Sequence, residues 1–260
     1  MGKYVAIVIG VFALGLAWSR LGVAHPPSAT RAALPGDVPV IVELFSSEGC
    51  SSCPPADAYL AELERAQPVE GVSVIALEEH VDYWDDLGWR DPFAQPTFGP
   101  RQRQYASTLS DHRVFTPEIV IDGRAISDGD PDKAARDMQA ARRGPRAHVI
   151  LERKGDRVSV EVSEVPTGAG DATAEIWLAV TEGGLSTRVE RGENAGHLLT
   201  HAPVVRVLRK LGLATAGAFR ADAHLELDAA WKLAAARAVV FVQRVRSREI
   251  VGAAEVRLGS

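Results

Sequence analysis

Residues 38–57 read VPVIVELFSSEGCSSCPPAD, and the fold is decided by the change of character within them. Val38 to Phe45 is a β-branched run broken only by Glu43, the pattern of a strand buried on both faces. A short loop of Ser, Glu, Gly, Cys and Pro follows, after which Tyr59, Leu60 and Leu63 recur at helical spacing between Asp57 and Arg65. Working outward, Val72 to Leu77 is a second strand. His80 to Pro96 is a long loop rich in aromatic residues and Asp, and a helix is predicted over Arg101 to Leu109. VFTPEIVI, Val114 to Ile121, reads as a third strand closed by the turn dipeptide Asp122-Gly123. Asp130-Pro131-Asp132 then opens a helix to about Arg143, with an Asp cap, Pro at the first position and an acid in the first turn.

The rhythm changes at Gly144-Pro145. HVILER, RVSVEVSEV, AEIWLAVTE, VVRVLRKL, AHLELD, AVVFVQRV and EIVGAAEVRL follow at strand-like lengths with turn signals between them. Ala229 to Ala236 is compatible with a short helix. The predicted class is α/β, with an α/β domain over 37–143 and a second, mainly antiparallel, sandwich-like β domain over 146–258. Residues 25–36 form a Pro/Ala-rich linker.

Residues 1–24 read as a secretory signal. Lys3 precedes the apolar run Tyr4 to Trp18, and Gly22-Val23-Ala24 offers small residues before His25-Pro26-Pro27. As a helix that run spans about 22 Å, short of the ~30 Å hydrocarbon core. An uncleaved anchor, with Arg20 snorkelling, is the alternative. Either way the expectation is export to a periplasmic or extracellular compartment, with membrane contact only through this segment if it stays uncleaved.

The chain has 260 residues and a formal net charge of -5, from 29 Lys+Arg against 34 Asp+Glu. The electrostatic footprint of a nucleic-acid binder is therefore missing. Two cysteines exclude a disulfide-stapled scaffold. There is no Gly-rich phosphate loop, nucleophile elbow or HExxH, so no cofactor is expected and nucleotide, serine-hydrolase and zinc-protease chemistry lack support.

Cys50-Ser51-Ser52-Cys53 is the constellation with chemistry in its spacing. Cysteines three apart in a turn can approach to a disulfide's Cα separation, yet they close too small a loop to add much chain-entropy stabilisation. An exposed pair at a strand-to-helix turn suits thiol–disulfide exchange, with Cys50 as attacking thiolate and Cys53 as resolving thiol. Half of a zinc site has the same look, but there is no second CxxC, and the one HxxxH, His197-Leu-Leu-Thr-His201, lies 144 residues beyond Cys53. His197 and His201 are spaced i, i+4 without an adjacent acid and read as surface or core histidines.

The succession of strand, CxxC, helix and, later, a strand beginning Thr116-Pro117 resembles the thioredoxin superfamily. VELFSSEGCSSCPPAD, HVDYWDDLGWRDPF, VFTPEIVIDG and RGENAGHLLTHAPVVR together resemble a family of secreted thioredoxin-like proteins of unknown function, over about residues 37–255. The resemblance implies that Pro117 is cis and faces the cysteine pair. It also implies that Thr116 offers backbone hydrogen bonds to a protein or peptide substrate, and that Glu43 stands near the position of a buried acid exchanging protons with the second cysteine. Pro54 and Pro55 depart from the usual pattern and are expected to push Cys53 toward extended geometry, starting the helix at Pro55. Glu48 would raise the thiol pKa. His80 is a candidate base or substrate contact beside the thiols. Trp84 and Trp89 are expected to pack as core against the second domain, and Arg101 and Arg103 to form a solvated helix face.

Three functions follow. An exported oxidoreductase would act on a protein or peptide thiol or disulfide through Cys50 and Cys53, its redox partner protein unidentified. A copper-delivery protein would use Cys50, Cys53 and His80 as soft and borderline ligands. A non-catalytic module would use the disulfide only to fix a partner-binding loop.

Overall fold

The computed structural model describes residues 36–127, 130–166, 173–214 and 217–259. The expected signal segment lies outside them, as does all of the linker but Gly36. The apolar run at 38–45 forms β1 (Val38–Ser46), followed by α1 (Pro54–Ala66), β2 (Val72–His80), a 3₁₀ turn (Asp82–Leu87), α2 (Phe98–Leu109), β3 (Glu118–Ile121), β4 (Ala125–Ser127) and α3 (Pro131–Arg143). The remainder is mostly strand: β5 (His148–Lys154), β6 (Arg157–Ser163), β7 (Ala174–Glu182), β8 (Ser186–Arg188), β9 (Leu198–Thr200), β10 (Val204–Ala214), β11 (Phe219–His224), β12 (Ala236–Arg244) and β13 (Ile250–Arg257). Residues 233–235 form a 3₁₀ turn where a short helix was allowed.

Eight strands make one mixed sheet in the order β13-β12-β7-β10-β2-β1-β3-β4, and β11-β6-β5 and β8-β9 form separate antiparallel sheets. β1 runs parallel to β2 from Val38↔Val72 to Ser46↔His80. β3 runs antiparallel to β1, with Phe45 opposite Glu118. β3 is shorter than the predicted strand because Pro117 has no amide hydrogen to give to the ladder. The strands on either side of Gly144 meet in this sheet at one bridge, Val204↔Glu78, beside a hydrogen bond from Glu78 N–H to Pro203 O (3.0 Å).

Period-two alternation along β1 and β2 sorts the core. Val40, Val42, Leu44, Val74 and Ala76 face α1 and α3, packing on Leu60, Leu63 and Met138. Ile41, Phe45, Ile75 and Leu77 face the opposite way, onto Phe98 and Tyr105 of α2, where Val239, Phe241 and Ile250 join them. The sheet curls so that the start of β13 returns toward β1: Ile250 N–H donates to Asp122 O and Asp122 N–H to Ile41 O, both at 2.8 Å. A third core lies between β5-β6-β11 and the outer strands of the large sheet, around Val158, Val160, Ile176, Leu178 and Val240. Burying each Leu or Ile of this size contributes about 1.5–3 kcal/mol.

Arg101 departs from expectation. It is 4% exposed, whereas Arg103 is exposed as predicted. Arg101 lies three residues after Phe98 and four before Tyr105, on the stripe that α2 turns to the core. Its guanidinium binds Glu43 (2.5 Å) and Gln243 (3.1 Å) and lies over the rings of Trp177 and Phe241. Tyr105 completes the cluster by donating to Glu43. Burial disfavours the charged guanidinium, but Glu43 and its neighbours more than compensate.

Candidate functional site at the cysteine loop

The cysteine loop is a chain of tight turns. Cys50 N–H donates to Ser47 O (3.1 Å), Cys53 N–H to Cys50 O (3.2 Å), and Ala56 N–H to Cys53 O (2.8 Å). Cys50 and Cys53 are joined as a disulfide with their Cα atoms 5.5 Å apart. Contrary to expectation α1 begins at Pro54, and Cys53 caps it in helical geometry, φ −79° and ψ −38°. The steric bias before a proline yields here because the first amides of a helix have no intrahelical acceptor, so two prolines there sacrifice no hydrogen bond. The N-terminus of α1, with its partial positive charge, therefore lies at Cys53 rather than Cys50.

The pair is not exposed as the sequence suggested: Cys50 is 1% and Cys53 0% accessible, and only Ser51 and Ser52 reach the surface. A distant segment packs onto the turn. The β8–β9 hairpin carries residues 189–197 across the turn, where Asn194 Nδ2 donates to Glu48 O (2.8 Å) and Cys50 O (3.0 Å). Glu193 accepts from Ser51 N–H at 3.0 Å. Gly192, at φ +78°, lies so close to Trp89 that a Cβ there would stand 3.1 Å from the Trp89 Cβ.

Thr116-Pro117 is cis, and both residues are half-buried. Trp84 ties them to the cysteine loop. Its indole N–H donates to Thr116 Oγ1 (2.9 Å), and its Cβ lies 3.2 Å from where a Gly49 Cβ would be. Trp89 is likewise half-buried and donates to Glu48 Oε2 (2.8 Å).

Glu43 stands elsewhere. It faces α2 and is engaged by Arg101 and Tyr105, on the opposite sheet face from the helix that carries Cys53. A buried acid on the cysteine side is Asp57, to which the sequence reading gave no role although it lies four residues after Cys53. Its N–H donates to Cys53 O (3.1 Å) and its carboxylate accepts from Ser46 Oγ (2.6 Å). Burial, reinforced by the charge of Glu78, raises its pKa to about 7.

His80 is fully buried and touches no surface a substrate could reach. Its Nδ1 meets Asp91 Oδ2 at 2.6 Å and its Nε2 meets Glu78 Oε1 at 2.9 Å. Burial opposes its charge, but Asp91 and Glu78 together outweigh burial and hold its pKa well above the ordinary imidazole range. His201 joins the same group, with Nδ1 3.1 Å from Glu78 Oε1 and Nε2 3.0 Å from Glu48 Oε1. Its pKa rises to about 9 because Glu48 and Glu78 outweigh the effect of burial. The Glu48 carboxylate thus turns to His201 and Trp89. His197 is exposed. Among the described residues, Glu78, His80 and His201 are a group whose ligand atoms lie within 4.8 Å of one another, and no cysteine belongs to it.

A family model described as protein of unknown function (DUF1223) matches residues 41–243. An X-ray structure of protein AGR_C_4864 from Agrobacterium tumefaciens is similar at 28% identity and a TM-score of 0.67, over 87% of this chain and 97% of that one. A domain of the outer membrane lipoprotein Omp28 from Porphyromonas gingivalis aligns with 44% of this chain and 89% of its own, at 11% identity and a TM-score of 0.27. No curated protein matches significantly.

Proposed function

Because the chain belongs to the DUF1223 family of proteins of unknown function, its chemistry has to be read from its own residues, and we propose that it is an exported, thioredoxin-like protein of thiol–disulfide exchange. The carrying observation is that the Cys50–Cys53 disulfide and the cis Thr116-Pro117 bond belong to one local structure, joined through Trp84. The order β2-β1-β3-β4, with α1 and α3 on one face and α2 on the other, supports the same reading.

In the reducing direction the Cys50 thiolate attacks one sulfur of a partner's disulfide, and the partner's other sulfur leaves as thiolate. Cys53 then attacks Cys50, which re-forms the Cys50–Cys53 bond and releases the partner carrying two electrons more. The reverse sequence oxidises a partner dithiol. Asp57, with its carboxyl near neutrality beside the first turn of α1, is suited to take the proton from Cys53.

The near-zero exposure of both cysteines favours a second reading, in which the disulfide is a fixed clasp for the loop. One experiment separates the two. In a Cys53→Ser variant of the exported chain, exchange chemistry leaves Cys50 in mixed disulfides with other proteins, visible on non-reducing gels and collapsed by reductant. Absence of such adducts, with Cys50 unreactive toward alkylating agents in the folded variant, would establish the clasp.

A further inference from the structure

We propose that Glu78, His80 and His201 form a buried zinc-binding site, independent of the thiol chemistry above. The three ligand atoms lie within 4.8 Å of one another, and two of the three separations are close to those of a coordination polyhedron. Glu78 Oε1 lies 2.9 Å from His80 Nε2 and 3.1 Å from His201 Nδ1. Ligand bonds of about 2.0–2.1 Å in a tetrahedron place neighbouring donors roughly 3.3 Å apart, so a shift of a few tenths of an ångström admits the ion.

The surrounding residues match what a histidine–carboxylate zinc site needs. Each imidazole turns one nitrogen toward Glu78 and the other toward a buried carboxylate: Asp91 at 2.6 Å from His80, Glu48 at 3.0 Å from His201. Such outer carboxylates fix the ring orientation of metal-bound histidines and raise their basicity. The outer pair is itself held, Asp91 by the Glu48 and Phe93 amides and Glu48 by the Trp89 indole. Phe93 packs edge-on against both imidazoles, at 5.4 and 5.3 Å, walling the group from solvent.

Glu78 supplies a second, independent indication. It is 0% exposed, yet its Oε2 makes no hydrogen bond among the described residues. An unsatisfied carboxylate oxygen in a protein interior is costly, and a cation chelated by both oxygens of Glu78 would remove that cost. Without the ion, Glu78 is held by two imidazole N–H donors; Zn²⁺ takes the place of those two protons, leaving the charge of the group unchanged. Glu78 and His80 come from the end of β2, and His201 stands just before β10, where the two strands meet. The ion would thus pin the junction across which the large sheet is continuous.

The test is to produce the chain in zinc-supplemented medium and, separately, to refold it from denaturant with zinc chloride. Desalted protein is then assayed for metal by mass spectrometry. The expected result is about one zinc per chain, lost in His80→Gln and His201→Gln. Asp91→Asn should bind zinc about 10–100-fold more weakly. The Cys50→Ser, Cys53→Ser double variant retains its zinc, so failure of the thiol reading leaves this site standing and the converse. Folded wild-type chain with no more zinc than the His80→Gln and His201→Gln variants, or zinc that disappears with the cysteines, overturns the proposal. Should the histidine variants fail to fold, wild-type stoichiometry and the Asp91→Asn affinity still decide it.

Discussion

The side-chain amide of Asn194 donates to the backbone carbonyl of Cys50 at 3.0 Å, although the two residues stand 144 positions apart. Through this contact a segment of the β-rich half covers a turn built by the first strand and helix. Residues 193 and 194 thus hold the backbone of the turn on both sides of Cys50, which is the basis for expecting them to limit access to its sulfur. Two hydrogen bonds from Asn194, each worth about 1 kcal/mol net, hold the cover. Asn194→Ala should speed reduction of the disulfide by a small dithiol at least about tenfold and lower the unfolding free energy in urea by about 2 kcal/mol. An unchanged reduction rate would show that the cover does not limit access.

Within the reduced pair, Cys50 is expected to react first with an alkylating agent. Its Sγ lies 3.4 Å from the hydroxyl of exposed Ser52, whereas Cys53 caps α1 and has no accessible surface. Peptide mapping after brief alkylation checks the order; label appearing first on Cys53 would reverse the assignment of roles.

Arg101 is a buried cation balanced by Glu43 and surrounded by Tyr105, Gln243, Trp177 and Phe241. Removing one partner of such a pair leaves the other charged and dry, so Arg101→Met should cost about 3–5 kcal/mol in urea unfolding. Glu43→Gln should also lower stability but leave the reactivity of Cys53 unaltered, since Glu43 lies across the sheet. An effect confined to the thiols would restore Glu43 to the site.

Asp57 sets a pH dependence of defined sign. Its pKa is raised by burial and by Glu78 from 3.8 to about 7, with Ser46, His80 and His201 pulling the other way. The fold therefore prefers the protonated acid. Its contribution is complete below about pH 4 and is lost as pH rises through 7, by up to roughly 4 kcal/mol. Urea unfolding between pH 5 and 8 should show wild-type stability falling with pH, and Asp57→Asn should flatten the slope. A slope unchanged in that variant would assign it to other groups.

What could be read from the sequence was local. The β-branched run at 38–45, the CxxC spacing, the Asp130-Pro131 helix start and the proline in VFTPEIVI each declare themselves within about ten residues. Arg101 was legible in principle, because its place between Phe98 and Tyr105 puts it on the buried stripe, but its charge argued for water. Glu78 and Glu79 follow an apolar run, and charged residues there suggested that the strand had ended. It continues to His80. The cover over the cysteines and the meeting of His201 with Glu78 carry no local signal at all. They arise from β-strand pairing between remote segments, which periodicity does not record.

The single bridge between Val204 and Glu78 has a consequence for how the molecule is assembled. A polypeptide emerges from the ribosome amino end first, so Glu78 and His80 exist for the time it takes to add the 123 residues that separate Glu78 from His201. Through that interval Glu78 and Glu48 lack the imidazole of His201 and the Cys50 carbonyl lacks the amide of Asn194, whereas His80 already has Glu78 and Asp91 as partners. Docking of the segment that carries Asn194 and His201 is thus the step that completes both the acid–imidazole group and the turn at the cysteines.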